Sequence, residues 1–355
     1  MSSTEKPIYL PTGPARYSGL VVSQPLLLVF YHVEKTGGSA VMKWLHKMAN
    51  VKSGPARLTL LYDFTHTSCL FAQHSELFAG FEHAWDSRRC TAPSMPRWQT
   101  SAIAVEFHAY SRRRYWEDFV RAMPKLRAQY AEMGGKVITI TLFREPVSHT
   151  MSVYRMWPPS IRCRKVSSSC ASMGKHAVPL PAWLPRAAGL QAGSLTLDSW
   201  PHVRLGFHNT RGCDVLPLAR QRLATFDVVG VMDCMRELLG KLCAHLGWPC
   251  ADDEQRLDLA LEQALSKKPH GITLGGTMYR ESKVWGSFDN LNASTKNAVM
   301  EAAKCDRAIY EDALRRSSIP PPALLGERVN KSLCRRMELT APDGTPLLAR
   351  TANPS

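Results

Sequence analysis

Apolar positions along this chain fall into stretches with two different periods. The run Leu26-Leu27-Leu28-Val29-Phe30-Tyr31 predicts a strand over 24–32. Immediately afterwards Val41, Trp44, Leu45 and Met48 recur at i, i+3, i+4 and i+7, the stripe of a helix that packs one side on a sheet. A period of two returns where Ile103, Val105 and Phe107 alternate with Ala104, Glu106 and His108, predicting a strand with two unlike faces and Glu106 and His108 on the same one. Trp116, Phe119, Val120, Met123 and Tyr130 predict a helix over 114–133, kinked or broken at Pro124 and ended by Gly134-Gly135. A strand over 137–143 leads to a helix opening at Pro146, a favoured first helical residue. A further buried strand is expected over 226–231. Helices follow on Met235, Leu238, Leu239, Leu242 and Leu246, and over 294–316 on Val299, Ala302, Cys305, Ile309, Tyr310 and Leu314. Strand alternating with helix predicts an α/β fold with a central, mainly parallel sheet.

The stretches without a period set the expected domain limits. Residues 1–22 are polar and punctuated by Pro and Gly, a flexible lead-in. One domain is expected over 23–316. Within it, 51–100 reads as irregular despite apolar pieces at 58–62 and 70–81, and 158–201 as a basic, Pro- and Ser-rich insertion, either a mobile surface loop or a substrate-facing lid. The Pro-rich tail 317–355 reads as dispensable to the fold.

Most of the chemistry lies at the ends of the predicted strands. The strand over 24–32 runs into Glu34-Lys35-Thr36-Gly37-Gly38-Ser39-Ala40 and then a helix. Consecutive glycines let backbone approach a ligand, the N–H groups of Gly37 to Ala40 are the unpaired donors of a helix start, and Lys35 adds a mobile positive charge. This is an anion cradle. In a Walker loop the Lys follows the glycines, whereas here it precedes them. His108 and Arg144 fall at the ends of two other strands, and in open α/β sheets such ends meet at one crevice. Arg144 offers a planar fork suited to phosphate, and Ser152, eight positions on, presents a hydroxyl from the following helix.

These two motifs resemble those of the sulfotransferases that use 3′-phosphoadenosine-5′-phosphosulfate, closest to the Golgi carbohydrate enzymes of the heparan sulfate 2-O and 6-O type. His32-Val33-Glu34-Lys35-Thr36-Gly37-Gly38-Ser39 is similar to their 5′-phosphosulfate loop, with Glu34 in place of the usual Pro and Ala40 in place of Ser. Arg144-Glu145-Pro146 with Ser152 is similar to their 3′-phosphate motif, with Glu145 in place of Asp. Val228-Val229-Gly230-Val231 matches a further strand of that group. The resemblance implies a P-loop-like three-layer αβα sandwich. It also implies a cofactor site of Lys35, Thr36, Gly37, Gly38, Ser39, Ala40, Arg144 and Ser152. Lys35 would neutralise charge on the leaving phosphate, and either His108 or Glu106 would take the proton of an acceptor hydroxyl, on a carbohydrate. Glu106 is alternatively the residue that orients the His108 ring. Gly275-Gly276-Thr277 with Arg280 and Lys283 loosely matches a segment that closes over the nucleotide, although a plain Gly-rich turn fits as well.

Composition narrows the partners. Against 30 acidic residues stand 45 Lys and Arg, a net charge of +15, which suits an acidic glycan or nucleotide phosphates; no specific nucleic acid is expected. The 10 cysteines show no metal-binding spacing, so no metal is expected. Cys163 with Cys170 and Cys243 with Cys250 are either bridged in an oxidising lumen or free thiols in a cytosol. Two sequons, at Asn292 and Asn330, are present. No segment is apolar enough to span a membrane, so membrane association requires an anchor outside this chain. The family implies the Golgi; the chain taken as complete implies the cytoplasm. Two rival functions share these features: a P-loop nucleotide kinase, and a noncatalytic polyanion-binding protein.

Overall fold

A computed structural model of the chain describes residues 24–33, 36–50, 58–61, 102–108, 113–156, 179–196, 212–246, 248, 272–274, 277–279, 288–320, 322, 329, 331–335 and 337–338. Glu34, Lys35, Cys163, Cys170, Cys250, Arg280, Lys283 and Asn330, and the side chains of Ser39 and His108, lie outside that description, as do the lead-in 1–22 and most of 51–100.

The strands are β1 (Leu26–His32), β2 (Leu58–Leu61), β3 (Ala102–His108), β4 (Lys136–Phe143) and β5 (Val228–Val231). They form one sheet in the order β2-β3-β1-β4-β5, with every pairing parallel. This is an α/β fold. Central strand β1 is buried along its whole length, which explains its unbroken apolar run. From β1 the chain crosses to β2 at one edge, and from β4 to β5 at the other. Beyond the carboxyl ends of adjacent β1 and β4 the two connections diverge, the place where such sheets open a crevice.

Around the sheet lie α1 (Gly38–Asn50), α2 (Arg113–Glu132), α3 (Pro146–Met156), α4 (Leu180–Trp183), α5 (Leu190–Thr196), α6 (Leu216–Leu223), α7 (Met235–Leu246), α8 (Ala293–Arg316) and α9 (Lys331–Cys334). The stripe Val41, Trp44, Leu45 and Met48 is buried as expected of α1. Helix α2 continues through Pro124, so the expected break is absent; buried Phe119, Ala122, Met123, Leu126 and Tyr130 hold the two halves against the core. Gly134 ends it at φ +67°, with Gly135 N–H donating to the Tyr130 carbonyl at 2.7 Å. Asn292 caps α8, accepting from Thr295 N–H at 2.8 Å. A separate hairpin pairs β6 (Ile272–Leu274) with β7 (Thr277–Tyr279), antiparallel.

Several expectations are corrected. Strand β3 carries Glu106 and His108 two positions apart as expected, but Ala102 to Phe107 are all buried, Glu106 included, because β3 lies inside the sheet. Within the irregular stretch, 58–61 is an edge strand. Residues 180–196, expected in a loop or lid, are helices packed into the core through Leu180, Trp183, Leu184 and Leu190, and all of α5 is buried. A helix buried on every side carries no stripe, so periodicity misses it. The C-terminal segment takes part in the core: Ile319, Val329, Cys334 and Met337 belong to the main cluster, and Cys334 is bridged to Cys234. A second bridge joins Cys213 to Cys305. Cys243 is also disulfide-bonded, which removes the free-thiol alternative for it.

Candidate functional site

At the carboxyl end of β1 the backbone turns into α1 with Gly37 at φ +97°, a conformation that L side chains rarely adopt. A Cβ at Gly37 would strike the terminal methyl of Met235 at the start of α7, and one at Gly38 would enter the imidazole of His32. Gly37 is therefore required by the turn, and Gly38 by its contact with the ring. Thr36 is fully buried, and its hydroxyl donates to the Val33 carbonyl at 2.6 Å, closing the loop on itself. Ala40 N–H donates to the Gly37 carbonyl at 2.9 Å. Ala40 thus departs from the expectation of an unpaired donor, because the helix makes its first backbone bond there.

Beneath this turn lies a buried acid–imidazole pair. His32 Nδ1 is 2.8 Å from Glu106 Oε1, with side chains 9% and 1% exposed. The His32 ring also stacks on Phe30, centroids 5.4 Å apart. Phe30 stands opposite Glu106 and His32 opposite His108 in the β1–β3 register, so the pair spans the two strands one step before they end. Sequence reasoning gave Glu106 to His108 or to the acceptor; its partner here is His32.

Next to the turn, β4 delivers Arg144. Its backbone N–H donates to Gln191 Oε1, and its carbonyl accepts from Gln191 Nε2, both at 2.9 Å. Gln191 lies in the first turn of α5 and is fully buried. Its own N–H and that of Ala192 donate to Asp306 Oδ1 of α8, each at 2.9 Å. Burial pushes the Asp306 carboxyl up to about 7, against the pull of those backbone donors. Tyr31 of β1 donates its hydroxyl to the Ser194 carbonyl at 2.6 Å, and Thr141 of β4 donates to the Tyr31 carbonyl at 3.1 Å. Burial holds the Tyr31 phenol far above its ordinary range, so it remains a donor.

Glu145 caps α3: its carboxylate accepts from Val147 N–H at 2.9 Å and Ser148 N–H at 2.7 Å. Ser152 lies on α3, buried, two turns further on. The structure thus brings the Gly37-Gly38 turn, Glu106 and Arg144 to the carboxyl ends of β1, β3 and β4, with Ser152 on the helix that follows Arg144. Gln191, Asp306 and the pairing of His32 with Glu106 were missed by sequence reasoning. The capping role of Glu145 was missed too, although its place directly before Pro146 is a legible signal. Among the described residues no group of three His, Cys, Asp or Glu could hold a metal, and no helix is long and apolar enough to cross a membrane.

Comparison of the chain with protein-family models, with curated proteins and with solved structures gave no match.

Proposed function

We propose that this protein is a sulfotransferase. It moves a sulfonate from 3′-phosphoadenosine-5′-phosphosulfate to a hydroxyl, on a carbohydrate, within a P-loop-like three-layer αβα sandwich. The observation that carries the reading is the adjacency of two anion motifs on neighbouring parallel strands. The Gly37-Gly38 turn follows β1 and Arg144 follows β4, which pairs directly with β1. One ligand with separate 5′ and 3′ phosphate groups fits that pairing.

In this reading the acceptor hydroxyl loses its proton to His108 while its oxygen attacks sulfur in line with the departing phosphate. The S–O bond to that phosphate breaks, and adenosine 3′,5′-bisphosphate leaves. Lys35 and the loop N–H groups of Gly37, Gly38 and Ser39 take up the charge that grows on the 5′-phosphate. Arg144 and Ser152 hold the 3′-phosphate. Glu106, buried and paired with His32, serves the loop rather than the acceptor. The disulfides Cys213–Cys305 and Cys234–Cys334 favour an oxidising compartment such as the Golgi lumen over the cytoplasm.

The test is incubation with the 35S-labelled donor and a panel of glycan, phenol, steroid and peptide acceptors. Transfer to a glycan that disappears in Lys35→Ala and His108→Ala is the expected result. ATP turnover with magnesium and no sulfonate transfer would assign the chain to the nucleotide kinases instead. Steeply salt-dependent polyanion binding unaffected by either substitution, again without transfer, would leave only a binding protein.

A further inference from the structure

Resting on that reading, we propose that α5 sets the selectivity of the site for a 3′-phosphorylated nucleotide, with Gln191 and Asp306 as positioning residues acting through Arg144. The argument begins where β4 stops. Arg144 is the first residue beyond the strand, and its N–H and C=O are both taken by one side-chain amide, that of Gln191, at 2.9 Å each. A neighbouring strand makes the same kind of exchange, so Gln191 holds the Arg144 backbone as though the sheet continued for one more residue. The amide is fully buried, and water cannot replace it.

Gln191 is fixed in turn. Asp306 Oδ1 accepts the N–H groups of Gln191 and Ala192, and Asp306 is itself fully buried on α8. Cys305, its neighbour, is bridged to Cys213, which ties that turn of α8 to the segment leading into α6. The far end of α5 is bonded to β1, through Tyr31 Oη to the Ser194 carbonyl at 2.6 Å. One short helix therefore sits on both strands that carry the anion motifs. It keeps the base of the Arg144 guanidinium at a fixed reach from the Gly37 turn, the separation that a ligand with both 5′ and 3′ phosphates must match.

Because Gln191 and Asp306 reach the site through the Arg144 backbone, while β1 is bonded separately through the Ser194 carbonyl, their loss affects two nucleotides unequally. Calorimetric binding of adenosine 3′,5′-bisphosphate and of adenosine 5′-monophosphate to the full chain reads this out. Wild type is expected to prefer the bisphosphate. Gln191→Ala and Asp306→Ala should weaken bisphosphate binding about tenfold or more while changing monophosphate binding less than about threefold, one misplaced charge-assisted contact being lost. Asp306→Asn keeps the accepting oxygen and should keep the preference. If Gln191→Ala fails to fold, Gln191→Glu, which retains the acceptor for Arg144 N–H and loses the donor to its carbonyl, replaces it.

Equal losses for both nucleotides, or an undiminished preference, overturn the relay while leaving the sulfotransferase reading intact. Failure of the wild-type chain to bind either nucleotide overturns both.

Discussion

Replacing Gly38 with Ala separates what helix propensity alone would predict from what the packing of this site demands. Gly38 opens α1, and its φ is not in the left-handed region, so propensity alone makes Gly38→Ala stabilising by up to about 1 kcal/mol. The structure predicts the opposite sign. The added methyl would lie within the His32 imidazole, meeting Nε2, Cε1 and Cδ2 together. That ring cannot simply swing aside, because Nδ1 is held 2.8 Å from Glu106 and one face is stacked on Phe30. If the backbone yields, the cost is that of overpacking, about 1–3 kcal/mol. If the ring yields, a buried carboxylate loses its partner, about 1–3 kcal/mol more. Set against the propensity gain, the net is a destabilisation of up to about 3 kcal/mol if the backbone yields and of up to about 6 kcal/mol if the ring does.

Urea midpoints of wild type, Gly38→Ala, His32→Ala and the double variant form the test. With the ring removed, the methyl enters vacated space, so Gly38→Ala should cost nothing or stabilise slightly in the His32→Ala background. The coupling between the two sites should exceed about 1 kcal/mol. Gly38→Ala as stable as wild type, or effects additive within about 0.5 kcal/mol, would refute the reasoning. Gly37→Ala is the contrasting case. At φ +97° it should cost about 1–3 kcal/mol whether or not His32 is present.

Four further outcomes concern the frame. Cys213→Ser with Cys305→Ser opens a loop of 92 residues, and Cys234→Ser with Cys334→Ser one of 100, so each should lower unfolding stability by about 2–5 kcal/mol in chemical denaturation. Truncation at residue 317 should mimic the second pair and also expose the core contacts of Ile319, Val329 and Met337. The Asp306 carboxyl, raised from 3.8 to about 7, binds more protons in the folded than in the unfolded chain between those values. Stability therefore falls as pH rises across that window, and Asp306→Asn should be more stable than wild type at pH 8 and gain little at pH 4, read from thermal midpoints. At the opposite end of the sheet, Asp227 accepts from Arg127 at 2.7 Å and from Thr139 N–H at 2.8 Å. Arg127→Ala should cost about 1 kcal/mol, its side chain being partly exposed, and Asp227→Ala about 2–3 kcal/mol, since the Thr139 N–H is then stranded.

What could be read in advance follows how local each determinant is. Helices α1, α7 and α8 each bury one stripe, so a period of 3.6 found them within a residue or two. The Gly37-Gly38 turn and Arg144 were legible because a turn and a strand end are written in adjacent residues. Alternation along β3 placed Glu106 and His108 on one face but carried no sign that Glu106 is buried, since its contact with His32 is made across the register. Helix α5 was illegible for the opposite reason: every one of its residues is buried, and its partners are far away, Asp306 lying 115 positions from Gln191 and Ser194 lying 163 from Tyr31. The disulfides share that difficulty, since the bridged pairs are distant while the pairs close in sequence drew attention.

Two buried carboxylates beside the proposed anion site, in a chain of net charge +15, call for an explanation, and their partners supply it. Glu106 is matched to His32, and Glu145 to the Val147 and Ser148 N–H groups. Their consequences differ. Because Glu145 fills the start of α3, that helix end has little left to offer a phosphate, and an anion at Arg144 depends on the guanidinium and on Ser152. Helix α1 has no acidic residue of its own in its first turn to compete in this way. Glu145→Gln keeps an accepting oxygen and removes the charge. It should cost about 1 kcal/mol of stability through the weakened cap while tightening adenosine 3′,5′-bisphosphate binding at low salt, an advantage that fades as ionic strength screens it. Weaker bisphosphate binding in a folded Glu145→Gln variant would show that the carboxylate aids the site, and that the start of α3 belongs to the ligand after all.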